Sequence, residues 1–176
     1  MSGSITLVLG GTRSGKSEIA EALALETGPR VAYIATGQVT DPGMAERIAL
    51  HRARRGPAWV TVEAAGTNLA VVLDDVQGPA LVDSLGTWVA AHPDLDPDVA
   101  NLQAALRVRR DRGDDTVLVS EEVGLGVHAP TEVGRRFADV LGGLNRTVAD
   151  GADEVLLVVA GRVLPLPPRR AGGTTS

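Results

Sequence analysis

Gly10-Gly11-Thr12-Arg13-Ser14-Gly15-Lys16-Ser17 is the stretch whose reading decides the fold. It satisfies the pattern G-x-x-x-x-G-K-[ST], follows the apolar run Ile5-Thr6-Leu7-Val8-Leu9 and opens a helical pattern, the setting a phosphate-binding loop requires. Glycines let the backbone curl so that successive N–H groups face phosphate oxygens. The helix that follows adds partial positive charge at its N-terminus. Lys16 then reaches the outer phosphates of a nucleotide, and the Ser17 hydroxyl ligates Mg2+.

Outward from the loop, short apolar runs alternate with longer helical stretches. The runs are residues 5–9, 31–35, 59–62, 80–82, 116–119 and 155–159, and a last short one spans Arg162 to Leu166. Continuous β-branched runs of this length suit strands buried on both faces of a parallel sheet. Helices are expected at about 17–27, 43–55, 67–75, 98–112 and 132–150. The alternation predicts an α/β fold of the P-loop NTPase kind, a mostly parallel central sheet flanked by helices on both faces. Residues 1–166 read as one domain. The tail 167–176 has no core-forming residues and is expected to be disordered.

Composition narrows the function. The 176 residues are 44% hydrophobic but only 2% aromatic, so the core must be built from Ala, Val and Leu. There is no Cys, which removes disulfides, thiolate metal sites and cysteine nucleophiles. No apolar run approaches the roughly 20 residues of a membrane span, and the N-terminus lacks the features of a signal peptide. A net charge of -5 argues against nucleic-acid binding. These properties point to a soluble cytoplasmic protein. Of the 17 basic side chains, only Lys16 is a lysine, and it lies in the loop. The Asn-Lys-x-Asp guanine-reading motif of signalling GTPases is therefore excluded, while nucleoside kinases stay open.

A phosphate loop also needs an acidic residue at a neighbouring strand end. Asp83, closing Ala80-Leu81-Val82, fits that role, and Glu121-Glu122 after 116–119 is the rival that spacing cannot separate from it. A second basic cluster lies at Arg47, His51 and Arg55, spaced i, i+4 and i+8 and so sharing one helix face. Cations around an imidazole attract polyphosphate and keep the ring neutral, which suits attack on an α-phosphorus and a covalent nucleotidyl-histidine. From the spacing alone, a histidine on a solvated basic face is the simpler reading.

Taken in order, Gly-Gly-x-Arg-Ser-Gly-Lys-Ser at 10–17, Tyr-Ile-Ala-Thr at 33–36 and His-Arg-x-x-Arg with Trp-x-Thr-x-Glu at 51–63 form a specific series. Leu-Val-Asp-Ser-Leu at 81–85, Glu-Val-Gly-Leu-Gly-Val at 122–127, Gly-Arg-Arg-Phe at 134–137, Leu-Asn-Arg at 144–146 and Ala-Asp-Glu-Val at 152–155 extend it. The series resembles the bifunctional adenosylcobinamide kinase / adenosylcobinamide-phosphate guanylyltransferases of cobalamin biosynthesis, over residues ~4 to ~166. The resemblance implies two reactions. ATP or GTP phosphorylates the aminopropanol hydroxyl of adenosylcobinamide, and GMP is then transferred from GTP onto that phosphate with release of pyrophosphate. It further implies that His51 carries the GMP and that Lys16 acts in catalysis. The implied nucleotide contacts are Gly10, Gly11, Thr12, Arg13, Ser14, Gly15, Lys16, Ser17, Ala35, Thr36, Gly37, Arg52, Ala53, Arg54, Arg55, Glu63 and Asp83. Mg2+ would be held by Ser17 and Asp83, and the chains would assemble as a homotrimer.

The chain departs from the family at a few places. Gly56 stands where Pro often follows the arginine, Gly37 replaces a common hydroxyl residue, and Glu121 replaces a frequent Asn. His92, in an acidic turn-like loop, reads as an exposed loop residue, and His128 follows Gly124 and Gly126 past a strand end. The arginines at 107–112 read as a solvated helix end complementing the dipole. Two rivals remain at this point: a plain small-molecule kinase with an inert His51, and a nucleotide-binding regulatory or assembly module without transferase chemistry.

Overall fold

The apolar runs form a single sheet. The computed structural model describes residues 1–37, 56–64, 68–126 and 129–168. Its strands are β1 (Ile5–Gly10), β2 (Val31–Ala35), β3 (Trp59–Glu63), β4 (Ala80–Asp83), β5 (Thr116–Glu121), β6 (Glu154–Val159) and β7 (Arg162–Pro165). They lie in the order β3-β2-β4-β5-β1-β6-β7, parallel throughout except that β7 returns antiparallel to β6. The turn between these two is made by Ala160 and Gly161, both at positive φ (51° and 70°), as a tight two-residue hairpin demands. The helix expected at 43–55 lies outside the described residues, as does the tail from 169.

Period-two alternation sends each strand's side chains to two different layers. Val8, Leu81, Val117, Val119 and Leu156 point to the face covered by α1 (Lys16–Glu26), which contributes Ala20 and Ala24. Leu7, Leu9, Ile34, Val82 and Leu118 point the other way. There they meet α2 (Leu69–Asp75), α3 (Leu85–Ala90), α4 (Val99–Arg112) and α5 (Glu132–Gly151). In α5 the buried Leu141, Leu144 and Val148 follow the helical period.

Short polar side chains set the helix ends. The side chains of Asn68, Asp98 and Thr131 accept from the backbone N–H of Ala70, Asn101 and Gly134 at 3.1, 2.9 and 3.1 Å, starting α2, α4 and α5. Gly113, at φ 85°, stops α4 in the left-handed conformation that a glycine adopts without a Cβ clash. α1 differs, because its N-cap is Gly15 at φ 92°, which offers no side chain. Its first turn thus keeps N–H groups available for a ligand.

Three features differ from the sequence reading. Helix α3 was not expected, since it follows β4 after a single residue. Ser84 starts it with a capping box in which Ser84 and Thr87 exchange side-chain-to-backbone hydrogen bonds. His92 is half-buried rather than exposed: its Nδ1 lies 2.8 Å from the Trp88 carbonyl and its ring meets the Trp88 ring edge-on at 5.3 Å. Arg109 is no solvated helix-end cation, for it is fully buried.

Arg109 staples the end of the sheet opposite the loop. Its guanidinium donates to Thr116 Oγ1 at 2.8 Å and to the carbonyls of Leu73, Val76 and Gly78 at 3.2, 2.7 and 2.6 Å. Burial lowers its pKa to about 10, with Asp114 opposing the shift, so it stays charged at neutral pH. Replacing it orphans several buried carbonyls. Arg109→Leu is expected to lower the unfolding free energy by about 3 kcal/mol, read from urea denaturation. A loss under about 1 kcal/mol would show that the carbonyls find other partners.

Candidate active site

The strand register gathers the predicted residues along one edge. Gly10 stands opposite Glu121, and Ala35 stands opposite both Glu63 and Asp83. All are carboxyl ends of parallel strands, where α/β sheets bind ligands. From β1 the chain crosses to β2 on one side, whereas from the adjacent β5 it crosses past β1 to β6 on the other, so the loop after β1 opens into the crevice at the switch point.

Gly10 is the tightest point of the loop. A Cβ there would come 2.8 Å from the Val158 carbonyl and collide with Ser14 Oγ. The loop then closes on itself through Ser14 N–H to the Gly11 carbonyl at 3.3 Å, and Ser14 Oγ accepts from Lys16 N–H at 3.3 Å. From outside, the β6–β7 turn braces it: Gly161 N–H donates to the Ser14 carbonyl at 2.8 Å. Glu122 N–H donates to the Gly10 carbonyl at 3.1 Å on the other side. Gly11, Thr12 and Arg13 stay exposed.

Lys16 is folded back into this frame. Its Nζ donates to the Gly11 carbonyl at 3.3 Å and lies 3.8 Å from Glu121 Oε1, with only 12% of the side chain exposed. Glu121 is itself fixed, since Ser84 Oγ lies 3.0 Å from both carboxylate oxygens. Burial pushes the Glu121 carboxyl above the usual range, Lys16 pulling it back. Below it, Gly86 in the first turn of α3 leaves the space that the carboxylate occupies, because a Cβ there would collide with it. From the α5 side, Ser120 Oγ donates to Asn145 Oδ1 at 2.6 Å, and Asn145 Nδ2 donates to the Glu121 carbonyl at 3.0 Å.

Asp83 lies further along the edge, accepting a 2.6 Å hydrogen bond from the Tyr33 hydroxyl at Oδ2. Tyr33 is buried and packs edge-on against Trp59 at 5.9 Å, which fixes that hydroxyl. Asp83 and the half-buried Ser17 are hard oxygen donors of the kind Mg2+ takes, and Tyr33 orients the carboxylate as an outer partner. Among the described residues there is no group of three His, Cys, Asp or Glu that could form a protein-only metal cage. A phosphate-loop Mg2+ needs none, since substrate oxygens and water complete its shell.

The remaining predicted contacts divide. Thr36 is fully buried, its hydroxyl 2.6 Å from the Ser84 carbonyl and 2.8 Å from Ser84 N, so this side chain ties β2 to the start of α3. Gly37 is half-buried and offers its backbone. Glu63 is exposed at the end of β3, four strands from β1, or about 19 Å at ordinary strand spacing. Lys16 and Glu63 therefore cannot touch one phosphate. Arg47, His51, Arg52, Ala53, Arg54, Arg55 and His128 lie outside the described residues.

The Ser84–Thr87–Thr36–Glu121 network is what the sequence reading missed. Ser84 three places before Thr87 is the available signal, hidden because a capping box ordinarily ends in Glu or Gln.

A model of the family described as cobinamide kinase / cobinamide phosphate guanyltransferase matches residues 6–166. The bifunctional adenosylcobalamin biosynthesis protein CobP of Pseudomonas aeruginosa is 40% identical over 166 residues, covering 91% of this chain and 95% of that protein. CobU of Salmonella typhimurium, also called a bifunctional adenosylcobalamin biosynthesis protein, is 35% identical over 173 residues, covering 88% and 95%. Among solved structures, flagellar accessory protein FlaH from Methanocaldococcus jannaschii superposes with a TM-score of 0.54 at 14% identity, over 92% of this chain and 75% of its own. KaiC-like protein PH0186 from Pyrococcus horikoshii OT3 gives 0.53 at 14% identity, over 89% and 71%. At such identity the two show the fold alone, that of the P-loop NTPases.

Gly10→Ala tests the loop geometry. It is expected to weaken nucleotide binding at least about tenfold by calorimetry, because the Val158 carbonyl is backbone and cannot step aside. Wild-type affinity in that variant would mean the loop holds phosphate in another shape.

Proposed function

The chain belongs to the cobinamide kinase / cobinamide phosphate guanyltransferase family, and from that premise we propose how its residues divide between the two reactions. The protein is a transferase that takes nucleoside triphosphates: it phosphorylates cobinamide and transfers GMP to cobinamide phosphate. The observation that carries the reading is the braced loop at 10–17, with Lys16 folded into it, inside a family match spanning residues 6–166.

In the kinase step the loop's N–H groups and Lys16 bind the triphosphate and stabilise charge on the transferring phosphoryl group. Ser17 and Asp83 would hold Mg2+, which supplies charge neutralisation on the phosphate oxygens. In the second step an imidazole nitrogen of His51 attacks the α-phosphorus of GTP, and the bond to the pyrophosphate oxygen breaks. A phosphate oxygen of cobinamide phosphate then attacks the same phosphorus. The P–N bond breaks, His51 is freed, and cobinamide-GDP is the product. Arg47 and the arginines at 52, 54 and 55 stabilise charge on the α-phosphate and the leaving pyrophosphate. Ala35, Gly37 and Glu63, along the same strand edge, contact the nucleoside end.

Among the described residues no helix is long and apolar enough to cross a membrane. We read the protein as a cytoplasmic homotrimer, on the family resemblance and the use of ATP and GTP.

His51→Ala separates the two steps. Incubation with α-labelled GTP is expected to give an acid-labile, alkali-stable GMP adduct on the wild-type protein and none on the variant. Cobinamide phosphorylation by the variant should stay within about threefold of wild type. An adduct that survives in the variant would overturn the role of His51, and a wild-type protein forming no adduct would favour a plain kinase.

A further inference from the structure

The carboxylate beside Lys16 has no part in the two steps as written. Glu121 Oε1 lies 3.8 Å from the Lys16 ammonium, and the Gly11 carbonyl accepts from that ammonium at 3.3 Å. A phosphate-loop lysine binds the β- and γ-phosphates. In this chain the phosphates therefore meet an ammonium that already has an anion, and they must either share it or draw it away. Sharing is unfavourable, because two anions on one cation repel each other. The Lys16 and Glu121 side chains are only 12% and 29% exposed, which leaves little water to screen that repulsion. Drawing the lysine away is unfavourable too. Burial disfavours the charge on Glu121, and Lys16 and the Ser84 hydroxyl offset it. A carboxylate that gives up the ammonium keeps its burial and loses its countercharge.

We propose that Glu121 is an internal competitor for the phosphate seat, an affinity-determining residue that holds Lys16 against the incoming polyphosphate and so weakens nucleotide binding by this chain. The proposal rests on the reading that Lys16 binds nucleotide phosphates. Glu121 stands at one of the places where the chain departs from its family, in which Asn is frequent. An amide has no charge with which to compete. The competition therefore belongs to this chain, and the chemistry of the family does not require it. A looser hold raises the nucleotide concentration needed for turnover and leaves the chemical step alone, since substrate and transition state meet the same competitor.

The surroundings keep the acid from yielding. Ser84 Oγ lies 3.0 Å from both carboxylate oxygens, the carboxylate fills the space left at Gly86, and Asn145 Nδ2 donates to the Glu121 carbonyl at 3.0 Å. Held at side chain and backbone, it can neither follow the lysine nor swing out to water. The neighbouring acids do not share the role. Asp83 has one oxygen bound by the Tyr33 hydroxyl, and it belongs to β4, one strand further from β1 than β5. Glu122 turns into its own loop, its Oε1 accepting from Gly124 N–H at 2.7 Å.

The test titrates the full chain with ATP and with inorganic tripolyphosphate by calorimetry, in EDTA at fixed ionic strength, so that neither the base nor a metal contributes to the difference. Glu121→Gln keeps the size of the side chain and its hydrogen bond to Ser84 and removes the charge. It is expected to bind both ligands about tenfold more tightly than wild type. Glu121→Asn, carrying a residue the family tolerates there, gives a second neutral variant and should shift in the same direction. Glu121→Asp, which keeps the charge, should stay within about threefold of wild type. In the kinase assay with cobinamide, the KM for ATP of Glu121→Gln should fall with its Kd, and kcat should hold within about threefold. Affinities of both neutral variants within about twofold of wild type would overturn the proposal, as would weaker binding, which would make Glu121 a support of the loop. An equal gain in Glu121→Asp would also overturn it, by assigning the effect to fit instead of charge. A wild-type protein that binds neither ligand would instead remove the reading of the loop as a phosphate seat.

Discussion

The ion pair between Lys16 and Glu121 is the contact around which the rest is arranged. A phosphate loop must keep an ammonium aimed inward in the interval when no phosphate is there to attract it. The chain solves this with a carboxylate from the adjacent strand and a carbonyl from the loop itself, at 3.8 and 3.3 Å. The carboxylate must then be held in turn. That second requirement explains why α3 begins where it does, why its second residue is a glycine, and why Asn145 is buried in an otherwise apolar face of α5.

The two faces of the sheet contribute unequally. α1, on one face, carries the loop and packs through small side chains, Ala20 and Ala24. The opposite face is thick with Leu and includes Trp88, and its polar threads run to the two ends of the strands, Ser120 and Asn145 at the edge where the site lies and Arg109 at the other. The hairpin of β6 and β7 joins this edge from outside, its turn donating to Ser14. Loop shape is thus fixed by backbone groups from three separate parts of the chain, which no stretch of eight residues specifies alone.

Much of this was legible in the sequence, for identifiable reasons. Parallel strands such as β4 and β5 are buried almost throughout, so Ala80-Leu81-Val82 and Thr116-Val117-Leu118-Val119 appear as unbroken apolar runs. The loop motif placed Lys16 and Ser17. Asp83 and Glu121 could not be ranked, because ranking them needs the strand order, and order is a property of tertiary pairing. α3 was missed because Leu-Gly-Thr-Trp is a poor helix former held by its cap and by burial. Arg109 was misread as surface, yet it follows the buried Leu102, Ala105 and Leu106 at helical spacing. A charge on an apolar stripe was the sign of a buried staple, masked by its three arginine neighbours at 107, 110 and 112.

That the chain holds one lysine among 17 cations has a chemical consequence. Arginine serves wherever a generic positive charge is wanted, and reagents that acylate amines ignore it. Such a reagent meets only two targets on this protein, the N-terminus and Lys16, and the second sits 12% exposed with its ammonium against a carboxylate and a carbonyl. The loop therefore carries its own chemical address: a label found anywhere beyond the first residue is a label on Lys16.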